Sequence, residues 1–210
     1  DYVTRHGFGY SVFEHEEDGI ASSLTMFVAI DAPIKFVVLT LHNGCERTRT
    51  LSVTGYLEWV LGDERAKTAM HIGTAREAGT NALFAHNPTD MDFAGRTAFF
   101  DVDITSDDHF SAGCDRHEFL GAGGNLQRPA AMKAKALSGA KGFALDPCAA
   151  LRVGFTLASG QTRDIVFRLG AGATPEQARA LVQQWRGPTL AQETLAAVKQ
   201  HWAHTLGAVQ

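Results

Sequence analysis

The chain has 210 residues and a formal net charge of -4, long enough to bury one sizeable core, and all-β sandwiches of this length commonly form a single domain, so one domain plus an appendage is expected. Its charges are dispersed without a basic block, which argues against nucleic acid or an anionic membrane surface as the main partner and favours a neutral, polar ligand. There is neither an apolar run of the ~20 residues needed to cross a bilayer nor a basic-then-apolar leader, so a soluble piece without a membrane or targeting segment is expected.

Taken in chain order, Arg5 to His15 comes first, mixing Gly7 and Gly9 with Phe8, Tyr10 and Phe13 in an order that suits neither an ordinary strand nor a helix. Ser23 to Ile30 reads as a strand broken by Asp31-Ala32-Pro33, and Ile34 to Leu41 as a second. His42-Asn43-Gly44 then supplies the Asn-Gly pair of a tight hairpin. Thr50 to Leu61 alternates, with Leu51, Val53, Gly55, Leu57 and Trp59 on one face and Ser52, Thr54, Tyr56, Glu58 and Val60 on the other. Gly62 to Thr80 reads as loop, although Asp63 to Ala69 has helical and His71 to Ala75 strand character. Asn81 to His86, Thr97 to Thr105 and Leu151 to Ala158 are rich in strand formers, and Ala158-Ser159-Gly160-Gln161 turns the last into Thr162 to Leu169. Many short strands without intervening helices imply antiparallel sheets packed face to face.

The character changes at Gly170-Ala171-Gly172. Thr174 as N-cap, Pro175 at the first helical position and Gln177 at the reach-back position predict a helix to about Trp185. Gly187-Pro188 ends it. Thr189 caps a second helix with Gln192 at the reach-back position, and Leu195, Val198, Trp202 and Leu206 lie along one side, which needs a surface to pack on.

Five blocks carry a family likeness: Arg5-His6-Gly7-Phe8-Gly9-Tyr10-Ser11-Val12-Phe13-Glu14-His15; the strand ending Glu58-Trp59-Val60-Leu61-Gly62; Gly95-Arg96-Thr97-Ala98-Phe99; Asp115-Arg116-His117-Glu118-Phe119-Leu120-Gly121 with its downstream Pro129-Ala130-Ala131; and Leu137-Ser138-Gly139 with Leu145-Asp146-Pro147-Cys148-Ala149-Ala150-Leu151. In order and spacing they resemble the N-terminal β-sandwich module of glycoside hydrolase family 94, formerly glycosyltransferase family 36, in its cyclic β-1,2-glucan synthase and oligoglucan phosphorylase branch. Val12 and Ala122 depart from the pattern. The resemblance implies a large supersandwich, galactose mutarotase-like, over residues 1–172, followed over 173–210 by α-helical linkers to an (α/α)6 barrel. That barrel carries the general acid, and phosphate is the co-substrate of the full-length enzyme. The chain is therefore expected to be a fragment of a longer protein with no catalytic residue of its own. The parent is expected in the cytoplasm, or anchored in a bacterial inner membrane.

Several residues invite chemistry. Glu58 and Trp59 pair a carboxylate with a sugar-stacking ring, but alternation turns them to opposite faces, as for a core tryptophan beside a surface glutamate. Arg5, His6 and His15 offer charge and directional donors for a substrate oxygen, phosphate or an interface to the barrel, while Gly7 and Gly9 read as positions of close backbone approach or positive φ. Arg116 and Asn125 complete the candidate carbohydrate-binding or barrel-interface set. Gly121-Ala122-Gly123-Gly124-Asn125 lacks the Lys-Ser or Lys-Thr of a P-loop and reads as a mobile hairpin loop. His42, His71, His86, His109 and His117 lack ligand spacing, so no metal is expected, and no cofactor either. Cys45, Cys114 and Cys148 are odd in number and unpaired in spacing, which points to a reducing compartment and small semi-buried fillers.

The expectation is a mainly β, non-catalytic, carbohydrate-associated sandwich whose partners are a β-glucan oligosaccharide and the barrel of its parent. Two rivals belong to other classes: a free-standing mutarotase-like aldose epimerase, needing a histidine and a Glu58-like carboxylate converging in one concave site, and a homodimerisation or scaffold module that binds no sugar.

Overall fold

A computed structural model of the chain describes residues 2–207. The fold is mainly β, with its strands in an eight-stranded and a three-stranded sheet, and every pairing whose register is described is antiparallel. Two compact units are present. One holds the residues up to Leu51, Thr156–Gly170 and those from Trp185 onward; the other holds Ser52–Phe155 and Ala171–Gln184.

In the first unit, β1 (Tyr2–Gly7), β2 (Tyr10–Glu17), β3 (Ile20–Val28), β4 (Ile34–Asn43) and β11 (Thr162–Gly172) follow one another as neighbours. The Arg5–His15 block is thus an ordinary hairpin, contrary to its sequence reading, because Gly7 stands opposite Tyr10 and the turn between them falls on Phe8-Gly9. Gly9 has φ +80°, and a Cβ there would run into the Trp202 indole, while one on Gly7 would run into the Tyr10 ring. Here glycine serves close approach, as its spacing predicts. The Asn43-Gly44 hairpin is overturned. β4 pairs with β3 and β11, whereas β5 (Arg49–Glu58) belongs to the three-stranded sheet. Asn43 is fully buried, its Nδ2 facing the carbonyls of Arg47, Leu157 and Ala158 and its Oδ1 accepting from Cys45 N. Its side chain therefore holds the crossing loop instead of allowing a two-residue turn. The left-handed pair stands at Asp18-Gly19, φ 50° and 73°, joining β2 to β3.

The core of this unit is aromatic. Register sets Phe27 opposite Phe36 and Phe36 opposite Arg168; the two rings stack at 5.1 Å, Trp185 meets Phe36 edge-on at 6.0 Å, and the buried Arg168 guanidinium lies over Phe36 at 5.7 Å. The second C-terminal helix, α4 (Leu190–Gly207), buries Ala191, Thr194 and Val198 and packs on β2 and β3, the surface its predicted apolar side requires.

The second unit contains β6 (Gly73–Arg76), β7 (Leu83–His86) and β8 (Thr97–Val102) in one sheet, with β5, β10 (Pro147–Leu157) and β9 (His109–Asp115) in the other. Residues 62–80 are not loop throughout: α1 (Arg65–Thr68), a 3-10 turn over Ala69–His71 and β6 lie there, each too short for its periodicity to stand out. Thr97 to Thr105 ends as a strand at Val102, and Ala29 and Ile30 lie beyond β3. β9 and α2 (Arg116–Leu120) were not foreseen, since β9 carries Ser, Gly and Cys in place of branched residues. The first C-terminal helix, α3 (Pro175–Gln184), packs on the wholly buried β8. Thr174 Oγ1 accepts from Gln177 N at 3.2 Å, and Gln177 Oε1 accepts from Ala173 N, a reach-back one residue earlier than predicted.

Replacing Gly9 with alanine forces a side chain into the left-handed region and against Trp202. The expected loss is about 2–3 kcal/mol in urea unfolding, with faster amide exchange in α4 than in β4; unchanged stability would contradict this packing.

Candidate functional site

A cluster of four charged side chains is built in the second unit where segments from three stretches of the chain meet. Glu58 closes β5, Arg65 opens α1, Arg116 opens α2 and Asp146 directly precedes β10. Arg116 Nε donates to Glu58 Oε1 at 2.8 Å, and Arg65 Nη1 lies 3.2 Å from Glu58 Oε2. Arg116 Nη1 reaches Asp146 Oδ2 at 3.3 Å, and Arg65 Nη2 pairs with Asp146 Oδ1. Each carboxylate bridges both guanidiniums, closing a ring of alternating charge. Tyr56 donates its hydroxyl to Glu58 Oε1 at 2.9 Å and stacks on Phe119 at 4.3 Å.

Burial opposes the charge on Glu58, yet the hydrogen bonds from Arg116 and Tyr56 and the nearby Arg65 charge outweigh it and hold the carboxyl below its ordinary range. Burial, with the bond to Glu58, pushes the Tyr56 phenol well above its own. The hydrogen bond to Glu58 leads the causes that raise Arg116. Glu58 is thus held ionised and is not poised to give or take a proton near neutrality. Glu58 finds two arginines and a phenol among its described partners.

The other predicted residues are not brought together. Arg5 pairs with Glu14; His6 Nδ1 lies 2.9 Å from Ser11 Oγ; His15 stacks on Tyr2 at 4.0 Å. All three belong to the β1–β2 hairpin, where alternation puts Arg5 and His6 on opposite sheet faces. Trp59 is 4% exposed and a core residue, as its alternation with Glu58 predicts. Asn125 makes a local turn, its Oδ1 accepting from Gln127 N and Arg128 N. No group of His, Cys, Asp and Glu suited to a metal is present among the described residues. Burial leads the causes pushing the thiols of Cys114, to about 11, and Cys148, higher still, which suits inert fillers. The sequence reading missed Arg65, Asp146 and Tyr56. Asp146 stood inside a family block, and Tyr56 shares a strand face with Glu58; Arg65 lay in the ambiguous 62–80 region.

At the level of fold, a solved polysaccharide lyase is similar over 82% of this chain and 23% of its own, with 10% identity and a TM-score of 0.50. At the level of sequence, residues 1–188 match the glycosyl hydrolase 94 supersandwich domain, and the chain belongs to that family. It is 36% identical over its whole length to the cyclic β-(1,2)-glucan synthase NdvB of Rhizobium meliloti, covering 7% of that protein. It is 27% identical over 96% of its length to an N,N′-diacetylchitobiose phosphorylase of Vibrio furnissii, covering 25%. The chain thus spans a quarter or less of these relatives.

Glu58→Gln leaves two guanidiniums facing one carboxylate. Because the four side chains are 27–38% exposed, the expected loss is about 2 kcal/mol, below the 3–5 of a fully buried pair; a double-mutant cycle with Arg116 should return a coupling of about 1 kcal/mol.

Glu77 gives the clearest pH effect. Burial raises its pKa, but hydrogen bonds from Thr80, from Arg179 on α3 and from backbone amides bring it down to about 2. A depressed carboxylate stabilises the fold above its unfolded pKa and loses that contribution as pH falls through the folded value. Stability should therefore drop between about pH 4.5 and 2 by up to roughly 3 kcal/mol, and Glu77→Gln should flatten that stretch of the profile.

Proposed function

We propose that the chain is a non-catalytic β-sandwich that braces the catalytic portion of a glucan-processing synthase or phosphorylase and helps shape the path of its β-glucan. Residues 1–172 are assigned to the sandwich and 173–210 to a linker toward an (α/α)6 barrel, residues 1 and 208–210 lying outside the described residues. The family match over most of the chain carries this reading, together with relatives that extend far beyond it. The charge ring adds physical support. Protonating a glycosidic oxygen needs an acid that still holds its proton at working pH, whereas Glu58, bonded to two arginines and a phenol, is held below its ordinary range. Phosphate and the general acid then belong to the larger protein. The three unpaired cysteines support a cytoplasmic setting.

The purified chain incubated with sophorose and inorganic phosphate should form no glucose 1-phosphate and should not speed the mutarotation of fresh α-glucose. Product formation, or acceleration abolished by Glu58→Gln, would overturn the reading.

A further inference from the structure

Residues of two family blocks that the ring leaves free wall a single pocket in the second unit. Asp115, Glu118 and Phe119 come from the Asp-Arg-x-Glu-Phe-Leu-Gly block, and Ala130 and Ala131 from the downstream Pro-Ala-Ala. Together with Ala134, Leu137, Ser138 and Ala150 they enclose about 220 Å³.

The wall is held in place from two directions. Gly121 turns at φ +82°, and a Cβ there would stand 2.7 Å from that of Ala130, so glycine is what lets the two blocks meet. Beneath, the 5% exposed Arg152 donates to the carbonyls of Ala131 and Ala134, both at 2.7 Å, and to Thr54 Oγ1 at 3.2 Å. A buried guanidinium spending its donors on a loop's carbonyls is costly unless that loop's position matters. The floor is apolar, with Phe119 and Ala150 buried against Leu137 and Ala131. The rim is polar. Glu118 makes no hydrogen bond or ion pair among the described residues, Asp115 uses one oxygen to cap His117 N, and Ser138 Oγ accepts from Ala140 N.

We propose that this pocket is a non-catalytic subsite for one hexosyl unit of a neutral oligosaccharide. An apolar floor accepts the C–H face of a sugar ring, while carboxylates at the rim accept its hydroxyl protons, and a preformed wall spares the ordering cost of binding. The inference rests on the carbohydrate association proposed above.

It is tested by titrating the 210-residue chain, labelled with ¹³C at the alanine methyls, with sophorose and with N,N′-diacetylchitobiose. The expected result is saturable shifts at Ala130, Ala131, Ala134 and Ala136 with at least one sugar. Glu118→Gln should weaken that binding about tenfold, and Ala134→Leu, which fills the pocket from an exposed backbone position, should abolish it at unchanged thermal stability. Shifts confined to the β1–β2 hairpin or the Glu58 ring would overturn the pocket while leaving carbohydrate association standing. Saturation by tetramethylammonium but by neither sugar would make it a cation site and overturn it too. Silence with all three probes removes the pocket alone, because the bracing role is judged by activity of the longer protein.

Discussion

The ring of Glu58, Arg65, Arg116 and Asp146 fastens the second unit at the point where its strands end. Two of the segments it ties are helices too short to hold themselves in place. α1 has four residues and α2 five, far below the length at which a helix is stable by its own hydrogen bonds. Their positions are set instead by charge pairs, the Arg116 N bond to Asp146 O at 2.8 Å and the stack of Tyr56 on Phe119. A closed ring suits this task better than separate pairs, because every charge has two partners and stays compensated when one contact stretches.

The same ring that stabilises also disqualifies. Groups that do acid–base work near neutrality are kept partly desolvated, with a pKa tuned toward the working pH. Here Glu58 and Glu77 move the other way: both are held ionised by arginine and hydroxyl donors. Perturbation by full pairing is the signature of architecture. The pocket beside α2 differs, since Glu118 is left uncommitted above an apolar floor, the combination that recognises a neutral polar ligand without transforming it.

In the first unit, order comes from aromatic packing made possible by missing side chains. Gly7 admits the Tyr10 ring and Gly9 admits Trp202, so the hairpin and α4 interlock although their residues lie nearly 200 positions apart. Lys199 Nζ adds a cation over Tyr10 at 4.7 Å. The glycine spacing that marks this block in sequence is thus the imprint of two aromatic rings, Tyr10 within the block and Trp202 on α4.

What the sequence alone determined follows from local physics. Period-two alternation announced β5 and runs of strand formers announced β3, β4, β7, β8, β10 and β11; the Thr174-Pro175 start announced α3, the one-turn spacing of Val198 and Trp202 announced the buried side of α4, and alternation separated a core Trp59 from Glu58. Five spaced blocks carried the family. Tertiary structure decided the rest. Asn43-Gly44 satisfies the rules of a hairpin, yet the carbonyls of Leu157 and Ala158, over a hundred residues away, claim the Asn43 side chain and send the chain to another sheet. Arg65 and Asp146 carry no local signal because an ion pair is defined by distance in space, and the pocket under Glu118 exists only because Gly121 and Arg152 bring two loops within contact. Short-range periodicity is written in consecutive residues; charge rings and cavities are properties of segments that meet only after the chain has folded.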